Sequence, residues 1–468
     1  KFTGHQARLL IKVILWETST THGAKHELTI GNEEQGPWNE ISAYAHLYDD
    51  ICKDTNCYYT VAFKNAQYTP IVIISPRILL ENIVEGGKLL PNHPHLILDT
   101  IEQFEQTATD TFTRYFGPET FVHEEERVAI LFGLLGMMSE KYADKNAFAE
   151  QIILQKNHES TPEWSKIQGS LENIESQLAD PVAKAKFSAL KKALSLNPAI
   201  LTWIMKRMDD TPVVRACPIQ IPQLLKQELW SKFKTLQLVS GFGTLEGSFK
   251  FVKKRLKLPP ELEEIRLKAG QTTKPIQPLI QFHLDLPNTK SPQNLNATAE
   301  KIHKILKEEA GNATFLLMNS IKSAEQLHLK LAGSLKEDNI NLLSQGMSGG
   351  LGKITQLFSQ SPSQTLLIGT QKLYDQILKS EHASKITTLL IHRIPFLPPS
   401  HPVNAYESNQ LSDGFNDFSL PKAILRLKQF LYEFLTQTNP EMVHILDPRF
   451  ENYNGKFINS LPEQLQKA

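Results

Sequence analysis

The chain has 468 residues, and its 50 basic and 50 acidic side chains cancel. That length exceeds one hydrophobic core and predicts roughly two to four domains. A neutral balance excludes whole-molecule attraction to nucleic acid, so any such site must be a local patch.

Three cysteines, Cys52, Cys57 and Cys217, cannot build a disulfide framework and suit a reducing cytoplasm. The apolar run at 9–16, LLIKVILW, is too short to span a membrane and contains Lys12, so it reads as part of a core helix over 5–18. No other run is long enough to span a membrane either. Residues 19–37 read as loop. An apolar run at 71–74 predicts a strand, and another at 96–98 ends in Asp99-Thr100-Ile101-Glu102. Open α/β sheets present carboxylates at strand ends in this way, to hold the water shell of Mg²⁺ beside a nucleotide. The plainer reading is a strand end followed by a helix cap.

From 103 to about 226 the pattern is helical almost throughout, most clearly at 124–141 and 181–196. A strand at 235–239 leads into the turn-like Ser240-Gly241-Phe242-Gly243-Thr244-Leu245. A charged helix-turn-helix surface follows at 253–268, and the polar, proline-bearing 271–278 reads as a linker. Beyond it strands and helices alternate, which argues for a second parallel α/β domain. Its predicted strands are 315–318, 342–345, 365–370 and 443–446, the last closed by Asp447-Pro448. Ser320 stands at a helix start. The glycine-rich stretch before Lys353 lacks phosphate-loop spacing, because Ile354 follows the lysine. Over 420–435, Pro421 suits a first helical turn, and Ile424, Leu427, Leu431 and Phe434 share one face.

Three passages, IHRIPFLPPSHPV at 391–403, LPKAILRLKQ at 420–429 and ILDPRF at 445–450, resemble in wording and order the last motif blocks of the DinG/XPD family of superfamily 2 DNA helicases. The resemblance implies an α/β fold of two RecA-like motor domains with a helical Arch insertion. It assigns 1–103 to the remainder of a first, incomplete motor domain, whose phosphate loop is expected before Lys1. The Arch takes 104–226, the return to the first motor 227–270, the linker 271–278, and the second motor 279–468.

At the chemistry itself the wording departs. The family's Gln-Gly-x-Gly-Arg-x-x-Arg is here Gln429 to Thr436, with Phe430 and Tyr432 for the glycines and Glu433 and Thr436 for the arginines. Of Asp-Glu-Ala-His only Asp99 remains, with Thr100 for the glutamate and Glu102 for the histidine. Threonine cannot serve as a general base. In GT-x-SFWEGVD, Leu373, Tyr374 and Asp375 keep size or charge, whereas Gln376 and Leu378 replace the last glycine and aspartate. Of Thr-Ser-Ala-Thr-Leu, Thr244 and Leu245 survive. An arginine on a transferring phosphoryl group is worth about a thousand-fold or more in rate.

The expectation is therefore a helicase scaffold that binds single-stranded nucleic acid, has lost ATP hydrolysis and unwinding, and supports an N-terminal exonuclease domain or partner in DNA repair or replication. The alternatives are an active ATP-dependent helicase with diverged motifs, and lobes that hold a protein complex together. ATP and Mg²⁺ enter by resemblance alone, with Asp99 the remnant acid. Ser320 and Thr370 match family positions that touch nucleic acid, and Lys353 and Arg393 are nearby basic candidates. Their plainer readings are a cap for Ser320 and solvated charges for the basic pair. The family's iron–sulfur cluster needs four thiolates, and only Cys52 and Cys57 lie in the corresponding region, about 19–66. Two ordinary cysteines in a vestigial loop is the reading, with a zinc site completed by His22, His26 or His46 the alternative. No protein metal site is assigned. A cytoplasmic location follows from the cysteines and the family.

Overall fold

The computed structural model describes residues 3–21, 23, 25–28, 30–31, 34, 37–38, 41–42, 57–121, 124–143, 151–207, 209–266, 279–309, 313–362 and 364–461. They fall into two compact units, residues 1–98 with 103–237, and residues 99–102 with 238–468. Cys52, His22, His46 and the linker 271–278 lie outside the described residues, as does the side chain of His26.

In the first unit the helix Gly4–Glu17 starts at Thr3, whose hydroxyl accepts the Gln6 N–H while the Gln6 side chain accepts the Thr3 N–H. Cys57 stands before the helix Tyr58–Tyr68. The strand expected at 71–74 does not form. No strand pairs with the run among the described residues, and Ile71 and Ile73 are 73% and 93% exposed. An apolar β-branched run becomes a strand only when a neighbour takes its backbone hydrogen bonds. Strand β1, His95–Leu98, pairs with β6, Thr235–Leu238, at the two expected places.

Between them the expected helices appear as Glu125–Tyr142 and Pro181–Ala193, with Pro162–Gln177 beside them. The almost purely helical reading needs correction. The segment also carries a four-stranded antiparallel sheet, ordered β2-β5-β4-β3. Its members are β2 Arg114–Phe116, β3 Gln151–Ile153, β4 Ile200–Lys206 and β5 Pro212–Pro218. The β4–β5 hairpin turns at Asp210, which takes φ 60°, a conformation that Asp tolerates better than most residues. One core joins helices to sheet, with Leu131, Leu135, Ile167, Phe187 and Leu190 packed with Ile204 and Val214.

The second unit is built on a six-stranded sheet in the order β7-β12-β11-β8-β10-β9, parallel throughout. Its members are β7 Leu279–Phe282, β8 Ala313–Leu317, β9 Asn341–Ser344, β10 Thr365–Gly369, β11 Ile386–Ile391 and β12 Met442–Ile445. Side chains alternate across a strand, so this sheet needs two covered faces and nearly continuous apolar strands. Phe315, Leu317, Leu367, Leu389 and Val443 pack with Tyr374, Ile377, Leu427 and Phe434 of the helices Gln371–Leu378 and Leu420–Gln437. Leu316, Ile368 and Leu390 pack instead with Ile302, Leu327 and Leu331 of the helices Asn294–Glu308 and Ile321–Glu337. This is the second α/β domain expected.

The charged helix-turn-helix forms only its first half, Lys250–Leu256. Lys257 turns left-handed at φ 46°, and two prolines follow at 259 and 260, which stops the helix; residues 262–266 carry none. Among the described residues no helix is long and apolar enough to cross a membrane, and no group of three or more His, Cys, Asp or Glu side chains is placed to hold a metal ion.

Candidate functional site

Two parts of the second unit carry the motif residues. The first lies where residues 99–102 and 240–246 meet the helix Leu420–Gln437. Asp99 is exposed after β1, and its Oδ1 accepts the Thr100 N–H at 2.8 Å. Thr100 itself takes φ 55°, a left-handed conformation that β-branched residues avoid. Backbone strain of this kind collects at functional positions. Glu102 accepts the Phe242 N–H at 3.4 Å, and burial raises its carboxyl above the usual range.

Lys428 closes this part. It is 3% exposed, and its ammonium donates to the Thr244 carbonyl and, at 3.3 Å, to the Thr244 hydroxyl. Burial lowers its pKa to about 8, while the charge of Glu102 works the other way. One turn along, the Tyr432 ring lies tilted against Phe242, centroids 5.7 Å apart, and passes Gly241 so closely that a Cβ there would stand 2.9 Å from the ring. A side chain at Gly241 would have to displace that ring.

Glu433, at the position of the family's arginine, is not a solvated anion. Gln429 donates to it at 2.9 Å, its other oxygen is buried without a partner, and its pKa is raised to about 7, by burial first and Asp375 second. Asp375 is raised as well, by burial, and its Oδ1 also lacks a partner. A group half-protonated near neutrality repels a triphosphate only in part. The larger deficit is that the side chain at this position brings no positive charge; the cation whose charge reaches it is Lys379.

The second part is the carboxyl edge of the six-stranded sheet, where open α/β folds bind ligands. Ser320, Lys353, Thr370 and Arg393 follow β8, β9, β10 and β11 in the chain, so the topology brings all four to one edge. The Ser320 hydroxyl is spent on structure: it accepts the Ser323 N–H at 3.1 Å and donates to the Ser323 hydroxyl at 2.8 Å. That is the helix cap. Ser320→Ala is expected to cost about 1 kcal/mol, read as a lower urea midpoint at unchanged slope; an unchanged midpoint would remove the cap. Thr370 gives both its N–H and its hydroxyl to Gln345 Oε1, at 3.0 and 2.9 Å, tying the ends of β10 and β9. Lys353 is exposed in the first turn of the helix Leu351–Ser359.

Arg393 departs from the solvated-charge reading. It is half-buried, donates to the Thr289 carbonyl at 3.2 Å, and keeps its Nε buried without a partner. Sequence reasoning also missed its neighbours. Asp447 is fully buried and accepts the Ile394 N–H at 2.9 Å and the Arg449 guanidinium at 3.0 and 2.6 Å. The Asp447-Pro448-Arg449 text was visible, but as a turn signal, which hides a charge pair.

A sequence profile described as the helicase C-terminal domain matches residues 302–464. The 3'-5' exonuclease DinG of Bacillus subtilis is 27% identical over 275 residues, covering 56% of this chain and 29% of that protein. The ATP-dependent DNA helicase YoaA of Haemophilus influenzae is 21% identical over 511 aligned positions, covering 97% of this chain and 76% of that one. Among solved structures, an XPD helicase superposes with a TM-score of 0.59 at 14% identity, over 89% of this chain and 76% of that one. The chain is thus similar to DinG- and XPD-like helicases, in its C-terminal profile, in its sequence relatives and in its fold. Its α/β architecture is that of XPD helicase domains. The match spans under a third of the length of the Bacillus DinG protein.

Proposed function

We propose that this DinG/XPD-like chain is a strand-binding scaffold that neither hydrolyses ATP nor unwinds nucleic acid. One observation carries the reading: the helix Leu420–Gln437 offers Tyr432 and Glu433 where the family offers a glycine and an arginine, and Lys428 on the same helix already serves Thr244. Transition-state charge on a phosphoryl group then meets a carboxyl where the family offers a guanidinium. The residues present do not fit a working ATP site, so no hydrolytic step is assigned to them.

The carboxyl edge supports retained contact with single-stranded nucleic acid. Lys353 supplies an exposed cation and Arg393 a half-buried one, whereas the Thr370 hydroxyl donates to Gln345 and would have to turn from it to reach a phosphate. Because its hydroxyl both accepts and donates within the helix cap, Ser320 is the weakest of the four. Such contacts are sequence-independent and fade with salt. Both exonuclease relatives, from Bacillus subtilis and Staphylococcus saprophyticus, carry nuclease activity in their names. This supports a role in which the scaffold guides a strand to a fused or partner exonuclease in DNA repair or replication, in the cytoplasm.

Lys353→Glu is expected to weaken strand binding by roughly ten-fold, and Thr370→Ala by less, both read by fluorescence anisotropy with labelled oligothymidylate. Unchanged affinity in both would make the groove assignment wrong. One observation favours the second reading, an active helicase with diverged motifs: Asp99 is kept, exposed, at a strand end. An ATPase assay with Asp99→Asn separates the two.

A further inference from the structure

The ends of β11 and β12 hold more positive charge than their carboxylate can balance. Arg393 and Arg449 flank Asp447, and each guanidinium is about half-buried. Asp447 is already committed to the Ile394 N–H, to the Arg449 N–H at 3.0 Å and to two donors of the Arg449 side chain. Two cations and one anion leave a net positive charge in a poorly solvated place. Arg449 also lies 5.8 Å over the Phe396 ring, which holds its guanidinium in position.

Two donor-capable atoms remain unused there. The Nε of Arg393 is buried with no partner, and so is the Nε2 of His392, a side chain that is 3% exposed. Burial, and then the Arg393 charge, push the His392 imidazole down to about 3, so it is neutral at physiological pH. Burial and then the charge of Arg449 also press down on Arg393. Buried polar groups are nearly always paired, and an orphaned cluster of donors asks what satisfies it. Guanidinium groups are suited to planar, two-point recognition of phosphate.

We infer that Arg393 and Arg449 form a phosphate seat at the carboxyl ends of β11 and β12, which takes one phosphodiester group of a bound single strand. The inference rests on the strand-binding reading and names where one backbone phosphate is held. Asp447 orients Arg449 for that contact, and the Thr289 carbonyl holds Arg393 beside it. The same seat would accept inorganic phosphate, which shares the chemistry.

The test compares the full chain with Arg393→Gln and Arg393→Lys, each first checked for an unchanged circular-dichroism spectrum. Labelled oligothymidylate is titrated at about 50 and about 200 mM salt, and thermal stability is read with and without inorganic phosphate. Arg393→Gln is expected to weaken strand binding roughly ten-fold and to flatten the salt slope by about 0.7. Arg393→Lys should restore the slope and only part of the affinity, because lysine keeps the charge and loses the fork. Phosphate should raise the melting temperature of the parent chain and not of Arg393→Gln. Strand binding with the parent affinity in Arg393→Gln would overturn the seat while leaving the groove reading intact. If the parent chain binds no strand, the groove reading fails, and the phosphate arm decides: a shift lost in Arg393→Gln keeps the seat as a free-phosphate site, and no shift in the parent overturns it.

Discussion

Asp447→Ala is expected to destabilise the C-terminal unit by about 3 to 5 kcal/mol, the range for removing one partner of a buried ion pair. The carboxylate is fully buried and accepts the Ile394 N–H and three donors of Arg449, so its loss strands four donors and leaves one guanidinium without a counter-charge. Urea denaturation followed by far-ultraviolet circular dichroism reads the change. Removing the charge as well, in Asp447→Ala with Arg449→Met, is expected to recover part of the loss, because an apolar pair of similar volume does not carry a stranded charge. A loss under about 1 kcal/mol in the single variant would mean that the pair does not organise this edge.

Glu433→Gln is expected to stabilise the unit at pH 8 and to leave it nearly unchanged at pH 4. The sign follows from the direction of the shift. Glu433 has its pKa raised from 4.5 to about 7 in the folded chain. Its favourable contribution is therefore complete below 4.5 and is lost as pH rises through 7. Allowing for the partial exposure of the carboxyl, the loss amounts to about 1 to 2 kcal/mol. Asp375 and Glu102 are raised as well, so a residual slope of the same sign remains in the variant. Lys428 acts in another window. Lowered from 10.5 to about 8, it contributes stability above 10.5 that is lost as pH falls through 8. Melting temperatures between pH 4 and 8 check the prediction; a parallel curve for parent and variant would mean that Glu433 titrates as an ordinary surface acid.

The second α/β domain was legible because its signals are local and repeated. Runs such as Ala313–Leu317 and Thr365–Gly369, followed by helix starts at Ser320 and Thr370, can be read in windows of about ten residues. The hairpin of Ile200–Lys206 and Pro212–Pro218 was less visible, although Val213-Val214 and the intervening Asp209-Asp210 are strand and turn signals. There the surrounding helical text outweighed a short β-branched run. At 71–74 the error ran the other way, since propensity names a conformation but not a partner for its hydrogen bonds.

For the site, residue types were legible and environments were not. Replacement of the family arginine by Glu433 could be read directly, and so could its spacing of four from Gln429 on one helix, but its burial beside Asp375 depends on contacts between the helices Gln371–Leu378 and Leu420–Gln437. Lys428 reads in sequence as one more charge of an amphipathic helix. Only the fold shows it buried against Thr244, from 184 residues away in the chain. Arg393 was named as a cation, whereas its neighbour Arg449 was hidden inside a turn motif.

Single-strand-stimulated ATP hydrolysis by the full-length protein, measured beside Glu433→Arg and Asp99→Asn on samples whose strand binding is read in parallel, tests the central claim most directly. The account predicts salt-sensitive strand binding with no turnover above background in the parent and in Asp99→Asn. Robust turnover in the parent that Asp99→Asn abolishes would contradict it, and would mean that ATP is hydrolysed with Thr100 and Glu433 in place.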